Sequence, residues 1–63
     1  MGEFEMARQP MLLRPEEVAR SLAIGRTAVF ELIRTGELRS VKIGKSRRIP
    51  ADAVVEYVSG LSA

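Results

Sequence analysis

Sixty-three residues make one small domain, and a chain of that size buries only about 60% of its unfolded surface, so little stability is held in reserve. There is no cysteine and no histidine, which excludes disulfides, thiolate metal sites, zinc catalysis, imidazole acid–base chemistry and Ser-His or Cys-His nucleophiles; no catalytic residue, metal or cofactor is expected. No apolar run approaches the roughly 20 residues of a membrane span, no secretory signal is visible, and the net charge of +2 leaves an intracellular protein with no membrane partner as the expectation.

The distribution of that charge matters more than its sum. Residues 1–33 carry four Arg against five Glu, a net of −1. Residues 34–48 carry Arg34, Arg39, Lys42, Lys45, Arg47 and Arg48 against Glu37, a net of +5. Residues 49–63 carry Asp52 and Glu56, a net of −2. A charge run is often only a solvated face, but this one has a single sign and falls on a predicted hairpin, which favours a polyanionic ligand. Arg outnumbers Lys eight to two, and Arg makes the bidentate contacts that phosphate and guanine accept. A GC-rich genome would give the same bias.

Met1-Gly2-Glu3-Phe4-Glu5 is unlike the rest, Gly-Glu-Phe resembling a vector scar, and residues 1–10 are set aside as a tail. Residues 11–63 read as a single domain. Met11-Leu12-Leu13 leads into it as an extended segment. Pro15, then Glu16 and Glu17, suits a helix N-terminus, where a missing N–H costs nothing and the dipole favours negative charge. Val18, Ala19, Leu22 and Ala23 give that first helix one apolar face, over about Pro15 to Ala23. Ile24-Gly25 breaks it, Gly25 either taking a positive φ or acting as a weak N-cap. A second helix follows from Arg26 to about Thr35, with Val29, Leu32 and Ile33 inward, Thr27, Glu31 and Arg34 outward, and Gly36 as C-cap. Two helices so closely joined are neighbours, as in a helix-turn-helix.

From Leu38 the period changes from 3.6 to 2. Val41 and Ile43 alternate with Ser40 and Lys42 as in a half-buried strand. Gly44-Lys45-Ser46 supplies a turn, Arg47-Arg48-Ile49 the return strand with Ile49 inward, and Pro50 ends the ladder. A third helix from Ala51 to about Ser59 presents Ala51, Val54, Val55 and Val58, with Asp52 in its first turn and Gly60 closing it. The predicted core is Val29, Leu32, Ile33, Val41, Ile43, Ile49, Val54 and Val58. The fold class is mostly α with a small β-hairpin, a winged helix-turn-helix in the order helix, turn, helix, hairpin wing, helix.

The succession Leu12-Leu13, Glu17-Val18-Ala19, Leu22-Ala23-Ile24, Arg26 to Ile33, Gly36-Glu37-Leu38, Val41-Lys42-Ile43-Gly44 and Arg48-Ile49-Pro50 resembles the excisionase-type helix-turn-helix family, a branch related to the MerR-type winged-helix domains. The likeness covers about Met11 to Val58, and its closest form is the free-standing excisionase, or recombination directionality factor, of a phage or integrative element in a bacterial host. The resemblance implies a second helix in the major groove and a wing along the minor groove or backbone. It also implies bending of attachment-site DNA, partnership with an integrase and with neighbouring copies of itself, and no catalysis of its own. Two positions depart from the family pattern: Gly25 stands where Ser or Thr is common before the second helix, and Phe30 where Tyr is common.

The candidate contacts on the second helix are Arg26 and Thr27 at its start, with Phe30, Glu31 and Arg34. Thr27 has the alternative of capping the helix, Phe30 that of half-buried packing, and Arg34 that of a plain exposed arginine. Glu31 has four readings open to it: accepting from cytosine N4, orienting Arg34, deterring nonspecific binding, or standing as a solvated glutamate. On the wing, Lys45, Ser46 and Arg47 lie at or beside the tip, with Arg47 the first choice for a minor-groove or phosphate contact. Lys42 and Arg48 are read as alternating with the inward residues, and Arg39 is the least certain. The alternative for each is protection of an exposed strand edge by charge. Two other functions stay open: a small transcriptional regulator on the same fold, and an adaptor whose basic hairpin binds an acidic protein.

Overall fold

The structure, a computed structural model, describes residues 11–62; the tail assigned to residues 1–10 lies outside them. Helix α1 is Pro15–Leu22. Pro15 sits in its first turn and the Glu17 carboxylate accepts the Arg14 backbone N–H at 2.7 Å, so an orphan donor beside the first turn is satisfied by a local acid. Its C-cap is Ala23, with φ +58°, whose neighbour Ile24 donates its N–H to the Ala19 carbonyl at 3.0 Å. Ala23 therefore stands in the left-handed region that normally takes glycine, whereas Gly25 is the extended N-cap of the next helix, with φ −76°. Helix α2 is Arg26–Thr35 and ends on Gly36 at φ +85°, as its sequence predicts.

Leu38 follows this cap and donates its N–H to the Leu32 carbonyl at 3.0 Å, which folds the chain back under α2. The sheet has three strands, β1 Leu12–Leu13, β2 Val41–Ile43 and β3 Ser46–Pro50, in the order β1-β3-β2. The extended Met11-Leu12-Leu13 segment thus becomes an edge strand antiparallel to β3, with Leu12 opposite Pro50 and Leu13 opposite Ile49. Strand β2 starts later than predicted, and Ser46 belongs to β3, facing Ile43. Only Gly44 and Lys45 form the turn, with Gly44 at φ +62°, the glycine-first arrangement of a two-residue hairpin loop. Pro50 stays in the ladder instead of ending it. Backbone N–H groups alternate between the two sides of a strand, and Ala51 donates to Met11 at 3.1 Å on the β1 side. The donor Pro50 lacks would therefore point to the β2 side, past the last pair, Val41 with Arg48. Helix α3, Ala51–Ser62, leaves β3 directly and runs through Gly60, which was expected to close it.

The core is Val18, Ala19, Val29, Leu38, Ile49 and Ala53, with Leu13, Leu22, Leu32, Ile33, Val54 and Tyr57 packed around it. Each large member contributes about 1.5–3 kcal/mol on full burial. Four expectations are corrected. Val41, Ile43 and Val58 are exposed, not core. Ala23 is exposed, because the helix has already ended there. The buried face of α3 is Ala53, Val54 and Tyr57, so Val55 lies outside with Val58 and the stripe is turned by about one residue. Leu38, at 1% exposure, is a principal core residue although it lies outside the strand it was predicted to begin.

Candidate nucleic-acid interface

Strand pairing fixes which side chains share a face of the wing. Residues directly opposite in an antiparallel pair point the same way, and neighbours along a strand point oppositely. Lys42 lies opposite Arg47, and both share the side of the buried Ile49, two residues along from Arg47. Val41 opposite Arg48, and Ile43 opposite Ser46, lie on the other side. The alternation is real, but in β2 its phase is the reverse of the predicted one, whereas in β3 Ile49 is inward and Arg48 outward, as predicted. Lys42 and Arg47 prolong the helix-packed face of the sheet beyond the core, while Val41, Ile43 and Arg48 face outward.

Helix α2 turns Val29 inward, and Arg26, Thr27, Phe30, Glu31 and Arg34 are all exposed along its free side. Their charges are already organised. The Arg26 guanidinium lies 5.3 Å from the centre of the Phe30 ring, within cation–π range. Nε and Nη2 of Arg34 both donate to Oε1 of Glu31, at 3.2 and 2.7 Å, so the two side chains are paired on the helix surface. No side chain caps α2 at its N-terminus, so Thr27 at its second position is exposed and is not the N-cap.

The wing is organised differently. Lys45 and Ser46 are exposed at the tip, and Lys42 is exposed behind it. Lys42 and Lys45 make no ion pair with another described residue. Arg47, half-buried, donates to the Ser40 hydroxyl at 3.2 Å, and Arg48 to the Arg47 carbonyl at 2.8 Å. Arg39 stands apart from the other candidates: its Nη2 lies 3.5 Å from Asp52 and 3.5 Å from Glu56, so it bridges the approach to β2 with the first turns of α3. Sequence reasoning missed this pairing because Arg39 and its carboxylates are separated by the whole hairpin. Among the described residues no group of acidic side chains is placed to hold a metal ion, and no helix is long and apolar enough to cross a membrane.

Two short-linked helices, an exposed second helix and a basic hairpin before a closing helix define a winged helix-turn-helix protein. Residues 12–62 match the model of the helix-turn-helix domain family. The chain is 47% identical over 49 residues to an excisionase of Streptomyces ambofaciens, covering 78% of this chain and 79% of that protein. It is 45% identical over 53 residues to a probable excisionase of Saccharopolyspora erythraea, covering 84% of this chain and 54% of the relative, so it spans about half of that protein's length. An uncharacterized protein of Mycobacterium bovis is 36% identical over 52 residues, covering 82% of this chain and 46% of its own length. No solved structure matches the chain. With these relatives and that domain, the chain belongs to the excisionases of the helix-turn-helix domain family.

Proposed function

We propose that the protein binds duplex DNA as the accessory factor of an excisive recombination reaction, itself without catalysis. Helix α2 would enter the major groove with Arg26, Thr27, Phe30, Glu31 and Arg34, and the wing would lie along the adjoining minor groove or backbone with Lys42, Lys45, Ser46, Arg47 and Arg48. The observation that carries this reading is the Lys42–Arg47 pair. Like charges directly opposite on one sheet face destabilise the hairpin that bears them. A polyanion between or beside them removes that cost, and phosphates spaced along a duplex are such a polyanion. Arg39, already held by two carboxylates, is left out of the contact set.

Phosphate contacts would supply most of the affinity and make it steeply salt-dependent. A single module of this kind covers roughly 600–1,000 Å², which is too little for high specificity alone. Bending of attachment-site DNA, neighbouring copies along repeated sites and an integrase partner complete the reading, in the cytoplasm of a bacterial cell. The test is a gel-shift titration at graded salt on attachment-site arm DNA, with a scrambled control and circularly permuted probes. A ladder of position-dependent, bent complexes is the expected result. One unbent complex on a palindrome would replace the reading with a simple repressor. Equal, weak binding to the scrambled DNA would replace it with a protein adaptor.

A further inference from the structure

Of the outward face of the wing, the contact set above uses only Ser46 and Arg48 and gives its apolar side chains no role. Leu12 and Val41 are each 37% exposed there, and Ile43 is 57% exposed beside the Gly44–Lys45 turn. Ordinary two-sided sheets place polar side chains outward. A single exposed apolar residue needs no explanation, but Ile43 shares its face with Val41 and Arg48, beside Lys45 at the turn, while Lys42 and Arg47 lie on the reverse face, and there is no carboxylate between Leu38 and Pro50. An apolar ridge with cations beside it and behind it complements one surface in particular: the deoxyribose wall of a DNA groove, where the sugars are the apolar part and the phosphates lie at the edges.

Resting on the DNA-binding reading, we propose that Ile43, with Val41 behind it, packs on the deoxyriboses of one wall of a widened minor groove, while Lys42 and Arg47 on the reverse face meet the phosphates of the other wall. The geometry imposes the widening. The minor groove of B-DNA is about 6 Å across, and a hairpin carrying side chains on both faces is thicker than that. Spreading the groove in this way bends the duplex toward the major groove. The wing is then a two-sided spacer, charged on one side and greasy on the other, and the bend depends on the greasy side.

The experiment compares the full chain with Ile43→Ser and Ile43→Lys, using circularly permuted attachment-site probes and hydroxyl-radical footprinting, which reports on deoxyribose hydrogens in the minor groove. Far-UV circular dichroism checks folding, which an exposed position should preserve. For Ile43→Ser we expect most of the bend and of the wing's sugar protection to be lost, with affinity down about tenfold from the apolar area no longer covered. Ile43→Lys separates the ridge from simple charge. If the ridge matters, the bend is lost even though the added cation steepens the salt slope by about one. A wild-type bend retained in either variant overturns the proposal and leaves DNA binding standing. Wild-type protein that binds but neither bends DNA nor protects sugars does the same. A wild-type chain with no preference for DNA overturns both readings together.

Discussion

Helix α2 and the wing both present exposed cations, but the protein holds them in opposite ways. On α2 each candidate arginine has a partner of its own: Arg26 lies over Phe30 and Arg34 is forked onto Glu31. The helix beneath them is anchored by the fully buried Val29 and closed by Gly36. On the wing, Lys42 and Lys45 make no ion pair with another described residue, and Lys42 faces Arg47 across the hairpin. The helix is thus organised in the free protein, whereas the wing sets Lys42 opposite Arg47, a like-charged pair that a bound polyanion would relieve. Preset geometry suits the reading of base edges, and unrelieved charge suits the backbone.

The widest contrast separates the anchor of this arrangement from its surface. Leu38→Ala should remove about 2–5 kcal/mol, as much as the roughly 3–5 kcal/mol a domain of this size has in total. Circular dichroism should then show a chain largely unfolded at room temperature. Val41→Ala, on the outward face, should lie within about 1 kcal/mol of wild type. A Leu38→Ala protein that melted cooperatively near the wild-type temperature would remove Leu38 from the core.

Next in size is the wing's like-charged pair. Arg47→Ala should lower the slope of log affinity against log salt by about one and weaken binding across specific and scrambled DNA alike. The same change should leave thermal stability unchanged or slightly raised, because it relieves Lys42. An unaltered slope, or a clear loss of stability, would mean that Arg47 works within the fold through Ser40 and not on phosphate.

The helix ends offer a smaller, paired test. Gly36→Ala places a Cβ at φ +85° and should cost about 1 kcal/mol. Ala23→Gly removes a Cβ from φ +58° and should gain about the same, a rise of about 4–8 °C in melting temperature. Shifts of the same sign from both substitutions would contradict the caps described. Smallest is Glu31→Gln. Its ion pair is well exposed, 58% on the Glu31 side, so stability should move by less than about 0.5 kcal/mol. Held by a neutral amide oxygen in place of a carboxylate, Arg34 should bind phosphates less selectively. The ratio of specific to scrambled affinity should fall, and an unchanged ratio would limit Glu31 to a solvated surface role.

Much of this fold is legible in the chain itself, wherever the information is local. The caps at Pro15, Gly25 and Gly36, the span of α2 and the tight turn at Gly44 depend on residues within one turn of each other. The one-signed block from Arg39 to Arg48 marked the candidate wing in the same local way. The failures share a cause. Val41 and Ile43 alternate correctly, but a period of two has two phases, and composition favours placing Val and Ile inside. What sets the phase is Ile49, tied by pairing to Leu13 and carrying Arg47 and Lys42 onto its own side. The face of α3 was mistaken by one residue because Val54, Val55 and Val58 outweigh Ala53 and Tyr57 in hydropathy, while the packing against β3 selects the latter.

The sequence alone therefore determined the kind and order of the main elements and the placement of the charge, but not every boundary, since the former follow from backbone preferences and side-chain chemistry over a few residues. Tertiary structure decided which face of β2 and of α3 is inside, whereas the inward stripes of α1 and α2 follow from spacing alone. It moved Ile43 to the surface, brought Leu38 into the core and gave Arg39 its two carboxylates. Those outcomes depend on strand register and on contacts between residues far apart in the chain, where burial of the whole set, not the preference of any one side chain, sets the lowest free energy.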